Sequence, residues 1–268
     1  MIGRAHAKIN LALVVGPLRV DGKHELVTVY QRVDLADRIS VEPASDTTVE
    51  GFPADTLVRR ALDALAAPHG WKVRIEKRVP VAAGLGGGSS DAGTALRLAN
   101  AQLDDPFEPR ELHELAATLG ADVPFFLYDG PQLGTGDGST VEPVDLPQDF
   151  AVVLLLPKGA AKASTASVYA AFDARGGATG FDDRAARLSE RLAATRSARD
   201  LALLPANDLV TSPLAAQVLA AGAFRAGVSG AGPVLYGLLE KRADATAAAR
   251  RLRRLGETWS TVPVWPAG

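Results

Sequence analysis

The chain has 268 residues, of which 47% are hydrophobic and 22% charged, with a formal net charge of −2. That length suits two domains sharing a cleft, and the near-neutral balance argues against nucleic acid as a partner. There is no cysteine, which excludes disulfides and thiolate metal sites and suits a cytoplasmic protein, and no apolar run reaches the length of a membrane span.

The N-terminus runs straight into strand-like alternation, so no signal peptide is read there. From Ala5 to Leu13, Ala7, Ile9, Leu11 and Leu13 share one face while His6, Lys8 and Asn10 share the other. A polar sheet face is commonly solvated, and Lys8 is ordinary on that view. Pro17, Asp21 and Gly22 then form a turn into a second strand, Leu26 to Val33, giving a hairpin whose loop carries Lys23 and His24. Ala36 and Asp37 read as a turn into a short strand from Arg38 to Val41. Asp55 is a helix N-cap for a segment running to about Ala66, and Lys72 to Val79 alternates as a strand.

That strand delivers the chain to PVAAGLGGGSSD, Pro80 to Asp91, ahead of a helix expected from about Ser90 to Leu103. Glycine permits positive φ and close backbone approach, and the first N–H groups of a helix lack intrahelical partners, so strand, glycine loop and helix together make an anion cradle suited to ATP phosphates. The spacing of Gly84, Gly86, Gly87 and Gly88 is not that of a dinucleotide fingerprint, and no Gly-Lys-Ser/Thr occurs. A flexible connection capped by Ser89 or Ser90 has the same composition.

Pro109 begins a further helix that ends near Leu119, with Gly120 as a left-handed C-terminal cap. Asp122 follows, just before Pro124 and a short apolar strand, Phe125 to Tyr128. It is either a turn residue accepting backbone hydrogen bonds or a catalytic carboxylate, since phosphoryl transfer to an alcohol needs a proton acceptor and a cation such as Lys8. Glycines between 130 and 138, followed by Pro143 and Pro147, place a domain junction near 147, dividing the chain into 1–147 and 148–268. The second half opens with an apolar strand, Ala151 to Leu156. Helices follow from Ser164 or Thr165, from Asp183 to Leu203 and from Pro213 to Ala221. A strand, a turn at Gly230 to Gly232, another strand and a helix from Ala243 to Leu255 complete a small α+β sandwich. The arginines at 250–254 read as a solvated helix face.

AKINLAL, PVAAGLGGGSSDAG, LGADVPFF and GVSGAGPVLYGL, in this order, together resemble the GHMP kinase superfamily. With RVDGKHEL and the doubled serine, the likeness is closest to members that phosphorylate a cytidine diphosphate sugar alcohol in the non-mevalonate isoprenoid route. It spans nearly the whole chain. The resemblance implies an α+β, two-domain fold, with an N-terminal domain like ribosomal protein S5 domain 2, a ferredoxin-like C-terminal domain and a site in the cleft. It makes Asp122 the general base and Lys8 its orienting partner. The backbone of Pro80, Val81, Ala82, Ala83, Gly84, Leu85, Gly86, Gly87, Gly88, Ser89 and Ser90 would hold ATP with Mg2+, which is bound mainly through the nucleotide and through Ser90 or Ser89. Gly230 and Gly232 would close the site, Asn10 and His24 would lie near the substrate, and Tyr169 would stack on cytosine.

The family usually has tyrosine where this chain has Lys23, whose stem can cover an aromatic face and whose ammonium can reach a phosphate. Two alternatives stand beside this: a relative acting on homoserine, a mevalonate derivative or a sugar, and a non-catalytic nucleotide sensor, which has no reason to keep both Lys8 and Asp122. A metal-dependent hydrolase is excluded because His6, His24, His69 and His113 lack ligand spacing. The expected partners are small molecules, without nucleic acid or membrane, for a monomer or homodimer.

Overall fold

The computed structural model describes residues 1–52, 56–160 and 164–264. Its frame is a long antiparallel pair, β1 (Ile2–Leu18) and β2 (His24–Ala44), joined by a tight turn in which Gly22 adopts a φ of 79°. Along β1, Ala7, Ile9 and Leu11 are fully buried, as the alternation predicts. The opposite face is not solvated as expected: Lys8 and Asn10 are each only 3% exposed. The glycine loop and a turn from the second half of the chain cover them, with the Lys8 amide donating to the Leu85 carbonyl at 2.9 Å.

β2 is also longer than expected. The sequence suggests a turn at Ala36 and Asp37, but the strand runs through both and pairs with β1 on one side and the strand Gly70–Glu76 on the other. Aspartate favours turns when its carboxylate bonds its own backbone. Asp37 is instead fully buried and accepts hydrogen bonds from Arg78 N, Val79 N and Lys77 Nζ, so its acceptors serve the glycine loop.

The first sheet adds β3 (Thr48–Glu50), β4 (Gly70–Glu76), β5 (Gln132–Thr135) and β6 (Thr140–Pro143), in the order β3-β4-β2-β5-β6 with β1 on β2. Three helices accompany it: α1 (Thr56–Ala64), α2 (Gly87–Asn100) and α3 (Pro109–Leu119). Ile39, Val41, Trp71, Leu62 and Leu96 form one core beneath them. Truncating the 1% exposed Trp71 to alanine would cost about 3–5 kcal/mol. Several details differ from expectation. The N-cap at Asp55 lies outside the described residues. α2 starts at Gly87 and stops at Asn100, since the glycines themselves take helical geometry. Gly120 is extended, with φ 169°, and is no left-handed cap. Pro124–Leu127 is a 3-10 turn instead of a strand, its Phe126 amide donating to the Val123 carbonyl. Proline at its first position fits that conformation.

The second sheet comprises β7 (Ala151–Pro157), β8 (Arg225–Val228), β9 (Leu235–Leu239) and β10 (Gly256–Thr261), all antiparallel in the order β10-β7-β9-β8. Numbered within this half, the order is 4-1-3-2, the ferredoxin-like arrangement that the resemblance implies. Its helices are α4 (Thr165–Ala174), α5 (Phe181–Ala194), α6 (Ala215–Ala220) and α7 (Arg242–Leu252). The single helix expected to Leu203 breaks after Ala194 into a separate 3-10 turn, Ala198–Leu203, started by a Ser197–Asp200 capping box. β10 escapes the sequence pattern because Trp259 and Ser260 are only half-buried.

The two halves share apolar surface. Ile9, Val14 and Val29 cluster with Val152, Leu154, Leu188 and Leu238. Arg225, 8% exposed, donates across the junction to the Leu11 carbonyl at 2.6 Å, as Tyr236 Oη does at 3.2 Å. β1 thereby carries the polar groups of the site while its backbone is tied into both sheets.

Candidate active site

Where the two halves meet, a cavity of about 580 Å³ opens between β1, the glycine loop, the Asp122 segment and the Gly230 turn. Its floor is the polar face of β1. Lys8 Nζ donates to Asn10 Oδ1 at 2.7 Å, Asn10 Nδ2 donates to Thr28 Oγ1 at 2.8 Å, and Thr28 donates to the Ala12 carbonyl at 2.8 Å. This chain fixes the amide orientation, so Lys8 meets an oxygen. Lys8 Nζ also lies 3.3 Å from Asp122 Oδ2, although 114 residues separate the two in sequence order (122 − 8).

Asp122 is held on its other oxygen by Tyr30, whose hydroxyl donates to Oδ1 at 3.0 Å. The Tyr30 ring is within 5.5 Å of Lys8 Nζ, a cation–π contact. Arg32, two residues on, clamps the 3-10 turn beyond Asp122 through the Phe125 and Tyr128 carbonyls and the Asp129 carboxylate. Burial pushes the Tyr30 phenol well above its usual range, with the Asp122 charge adding to the effect. Tyr169 is pushed up to about 12 by burial first and Asp122 second. Both phenols therefore stay protonated at neutral pH.

The glycine loop forms one wall. Gly84 has φ 83°, and a Cβ there would lie 2.3 Å from the Ser229 carbonyl oxygen, so only glycine fits. Gly86, with φ 68°, is the N-cap of α2 and supplies no side-chain cap, which leaves the first helical amides for a ligand. A Cβ on Gly88 would meet nothing within 4 Å, because that position faces open space. Beneath the loop, Lys77 bridges the buried Asp37 and Asp91 at 2.6 and 2.7 Å. Burial alone would lower the Lys77 ammonium, but the Asp91 and Asp37 carboxylates outweigh it and raise it. The second half latches on through Ser229 Oγ to the Gly84 carbonyl at 2.8 Å and Val234 N to the Ala83 carbonyl at 3.1 Å. Gly230 thereby comes to rest beside Lys8 and Asn10.

Of the residues expected at the site, Lys8, Asn10, Asp122, Val81 to Gly84, Gly86 to Ser89, Tyr169, Gly230 and Gly232 all line this one cavity. Five do not. Pro80 is half-buried behind the loop, and Leu85 is in the core with only its carbonyl engaged, by Lys8 N. Ser90 is fully buried, its amide donating to the Gly86 carbonyl, and its side chain lines a separate small crevice with Arg4, His6 and Arg32. Lys23 is half-exposed and ion-paired with Asp137, a lining residue. The Lys23 pair and hydrogen bonds from Ser139 hold the Asp137 carboxyl at about 2 against a burial effect that would raise it. His24 sits behind Tyr169, stacked on it at 4.7 Å, with its Nε2 2.8 Å from Asp173 Oδ1. Sequence reasoning missed Tyr30, Thr28 and Asp137. Among the described residues, no cluster of three His, Cys, Asp or Glu could hold a metal, and no helix is long and apolar enough to cross a membrane.

Chemically, this is a cation and a carboxylate in contact at one end of a cradle of free amides. Comparisons with known proteins give the family. The family models for the GHMP kinases N-terminal domain and the GHMP kinases C-terminal domain match residues 56–130 and 183–258. A 4-diphosphocytidyl-2-C-methyl-D-erythritol kinase from Kineococcus radiotolerans is 40% identical over 93% of this chain and 83% of its own length. A crystal structure of a 4-(cytidine 5'-diphospho)-2C-methyl-D-erythritol kinase superposes with a TM-score of 0.78 at 32% identity, covering 98% of this chain and 99% of that one. A mevalonate kinase from L. major shares the fold alone, with a TM-score of 0.73 at 16% identity, covering 100% of this chain and 97% of that one. Sequence, architecture and site agree: the chain belongs to the GHMP kinases, in the family of the 4-diphosphocytidyl-2-C-methyl-D-erythritol kinases.

Proposed function

We propose that the chain transfers the γ-phosphoryl group of ATP to the 2-hydroxyl of 4-diphosphocytidyl-2-C-methyl-D-erythritol, a step of isoprenoid precursor synthesis. The observation that carries this is the 3.3 Å contact between Lys8 and Asp122 at the open end of an uncapped, glycine-lined helix N-terminus. Asp122 takes the hydroxyl proton as the oxygen attacks the γ-phosphorus and the bond to the ADP oxygen breaks. Lys8, buried beside it, orients the carboxylate and balances the charge that develops on the transferred group.

The backbone of Gly84 and Gly86 to Ser89 fits the phosphates, since Gly88 faces open space and, among the described residues, no side chain caps α2. Mg2+ fits only through the nucleotide, with Ser89 as the hydroxyl within the cavity, because no carboxylate cluster is present among the described residues. When bound it supplies charge neutralisation on the phosphates. Tyr169 offers a flat face to the cytosine from one side, backed by His24, while Lys23, where the family usually has tyrosine, is drawn to Asp137. We assign 1–147 to the phosphate-binding domain and 148–268 to the closing domain, and place the enzyme in the cytoplasm with its polar substrates.

The purified protein, given ATP and Mg2+, should release ADP with 4-diphosphocytidyl-2-C-methyl-D-erythritol and not with homoserine or mevalonate. ADP release with one of those competitors alone contradicts the substrate assignment while leaving the kinase chemistry in place.

A further inference from the structure

We propose that Tyr30 is a positioning residue for phosphoryl transfer, its phenol holding the Asp122 carboxylate in the orientation that Lys8 also requires. The inference rests on the assignment of Asp122 as the base. Tyr30 is 2% exposed, and its ring is stacked on Phe125 at 4.9 Å between centroids, so its hydroxyl has little freedom. Two acceptors lie within reach of its one proton: Asp122 Oδ1 at 3.0 Å and the Gly138 carbonyl at 3.4 Å. The nearer acceptor is also the charged one, and charge-assisted hydrogen bonds are the stronger kind. The phenol therefore donates to the carboxylate.

Asp122 needs such an anchor. Its side chain is 34% exposed at the rim of the cavity, and it stands on the short turn between α3 and the 3-10 segment. One contact to Lys8 leaves a carboxylate free to rotate about its last torsion. A second contact, to the other oxygen, fixes its plane. Lys8 from β1, Tyr30 from β2 and Tyr169 from α4 face this carboxylate, and Asp137 from the β5–β6 turn acts on Tyr30. Of the hydrogen bonds named here, that from Tyr30 is the one made by a neutral donor, so it can be removed without changing the charge of the site.

Tyr30→Phe keeps the ring, the stacking and the volume and deletes only the donor. A hydrogen bond to the charged form favours that form. Its loss should move the acid limb of the kcat/KM profile to higher pH and lower kcat by about tenfold, with KM for ATP within twofold of the parent. Circular dichroism and the unfolding midpoint of the variant report whether it is folded. Titration of the Asp122 carboxyl by 13C NMR, identified by its absence in Asp122→Asn, gives a readout independent of turnover. An unmoved carboxyl titration overturns the inference, even if kcat has fallen, because a purely structural role lowers kcat without moving protonation. A moved titration beside an unmoved rate profile overturns the assignment of Asp122 as base, and the inference with it. Both moving together supports it.

Discussion

The two ends of the cavity are built from different material. The phosphate end is backbone: Gly84, Gly86 and the uncapped amides of α2, shaped by positive φ and by the absence of Cβ atoms. The reacting end is side chain: Lys8, Asn10, Thr28, Tyr30 and Asp122, brought from three separate segments and held by hydrogen bonds of 2.7 to 3.0 Å. A backbone site is local in the chain and depends on what glycine lacks. A side-chain site depends on register, and a single lost contact changes its chemistry.

The sharpest way to break this division is at the reacting end. Asp122→Asn should lower kcat about a thousandfold while ATP affinity changes less than threefold, measured by ADP release and by calorimetric titration. Lys8→Met, which also leaves Asn10 Oδ1 without its donor, should cost about a hundredfold in kcat and raise KM for ATP. Loss of ATP binding with Asp122→Asn would erase the distinction between the two ends.

Smaller effects separate the glycines. Gly84→Ala drives a Cβ to 2.3 Å from a backbone oxygen at φ 83° and should destabilise the fold by about 2–3 kcal/mol in urea unfolding. Gly88→Ala meets nothing within 4 Å in a helical turn, so it should stabilise by about 0.5–1 kcal/mol while raising KM for ATP several-fold. A Gly88→Ala variant that is stabilised and yet binds ATP more weakly marks a cradle; an unchanged KM contradicts it.

The last effect lies outside the cavity and shows only as a pH dependence. Burial lowers His6 from 6.5 to about 4, with Arg4 and Arg32 adding to it. The unfolded chain takes up this proton first, so the His6 contribution is complete above about pH 6.5 and is lost as the pH falls towards 4. The unfolding midpoint of His6→Gln should vary less with pH than the parent's across that window.

Much of this was legible from residue order. The strand, glycine loop and helix sequence marks the phosphate end because glycine spacing is a local signal, and Ser164 caps α4 where the pattern puts it. Lys8 and Asp122 could be named as chemical types, but nothing local shows that they touch. Tyr30 was missed for a definite reason: it pairs with Asn10 across the β1–β2 ladder, but a bulge between Asn10 and Ala12 shifts the register that counting from the hairpin would give. Asp37 misled because its turn propensity is satisfied by amides some 40 residues away, and long-range partners override short-range preference.

A crystal structure with a non-hydrolysable ATP analogue and 4-diphosphocytidyl-2-C-methyl-D-erythritol tests the central claim directly. The account predicts the terminal phosphate on the amides of Gly86 to Ser89, within reach of Lys8, and the acceptor hydroxyl hydrogen-bonded to Asp122. A phosphate bound away from those amides, or an acceptor hydroxyl facing another side chain, would contradict it.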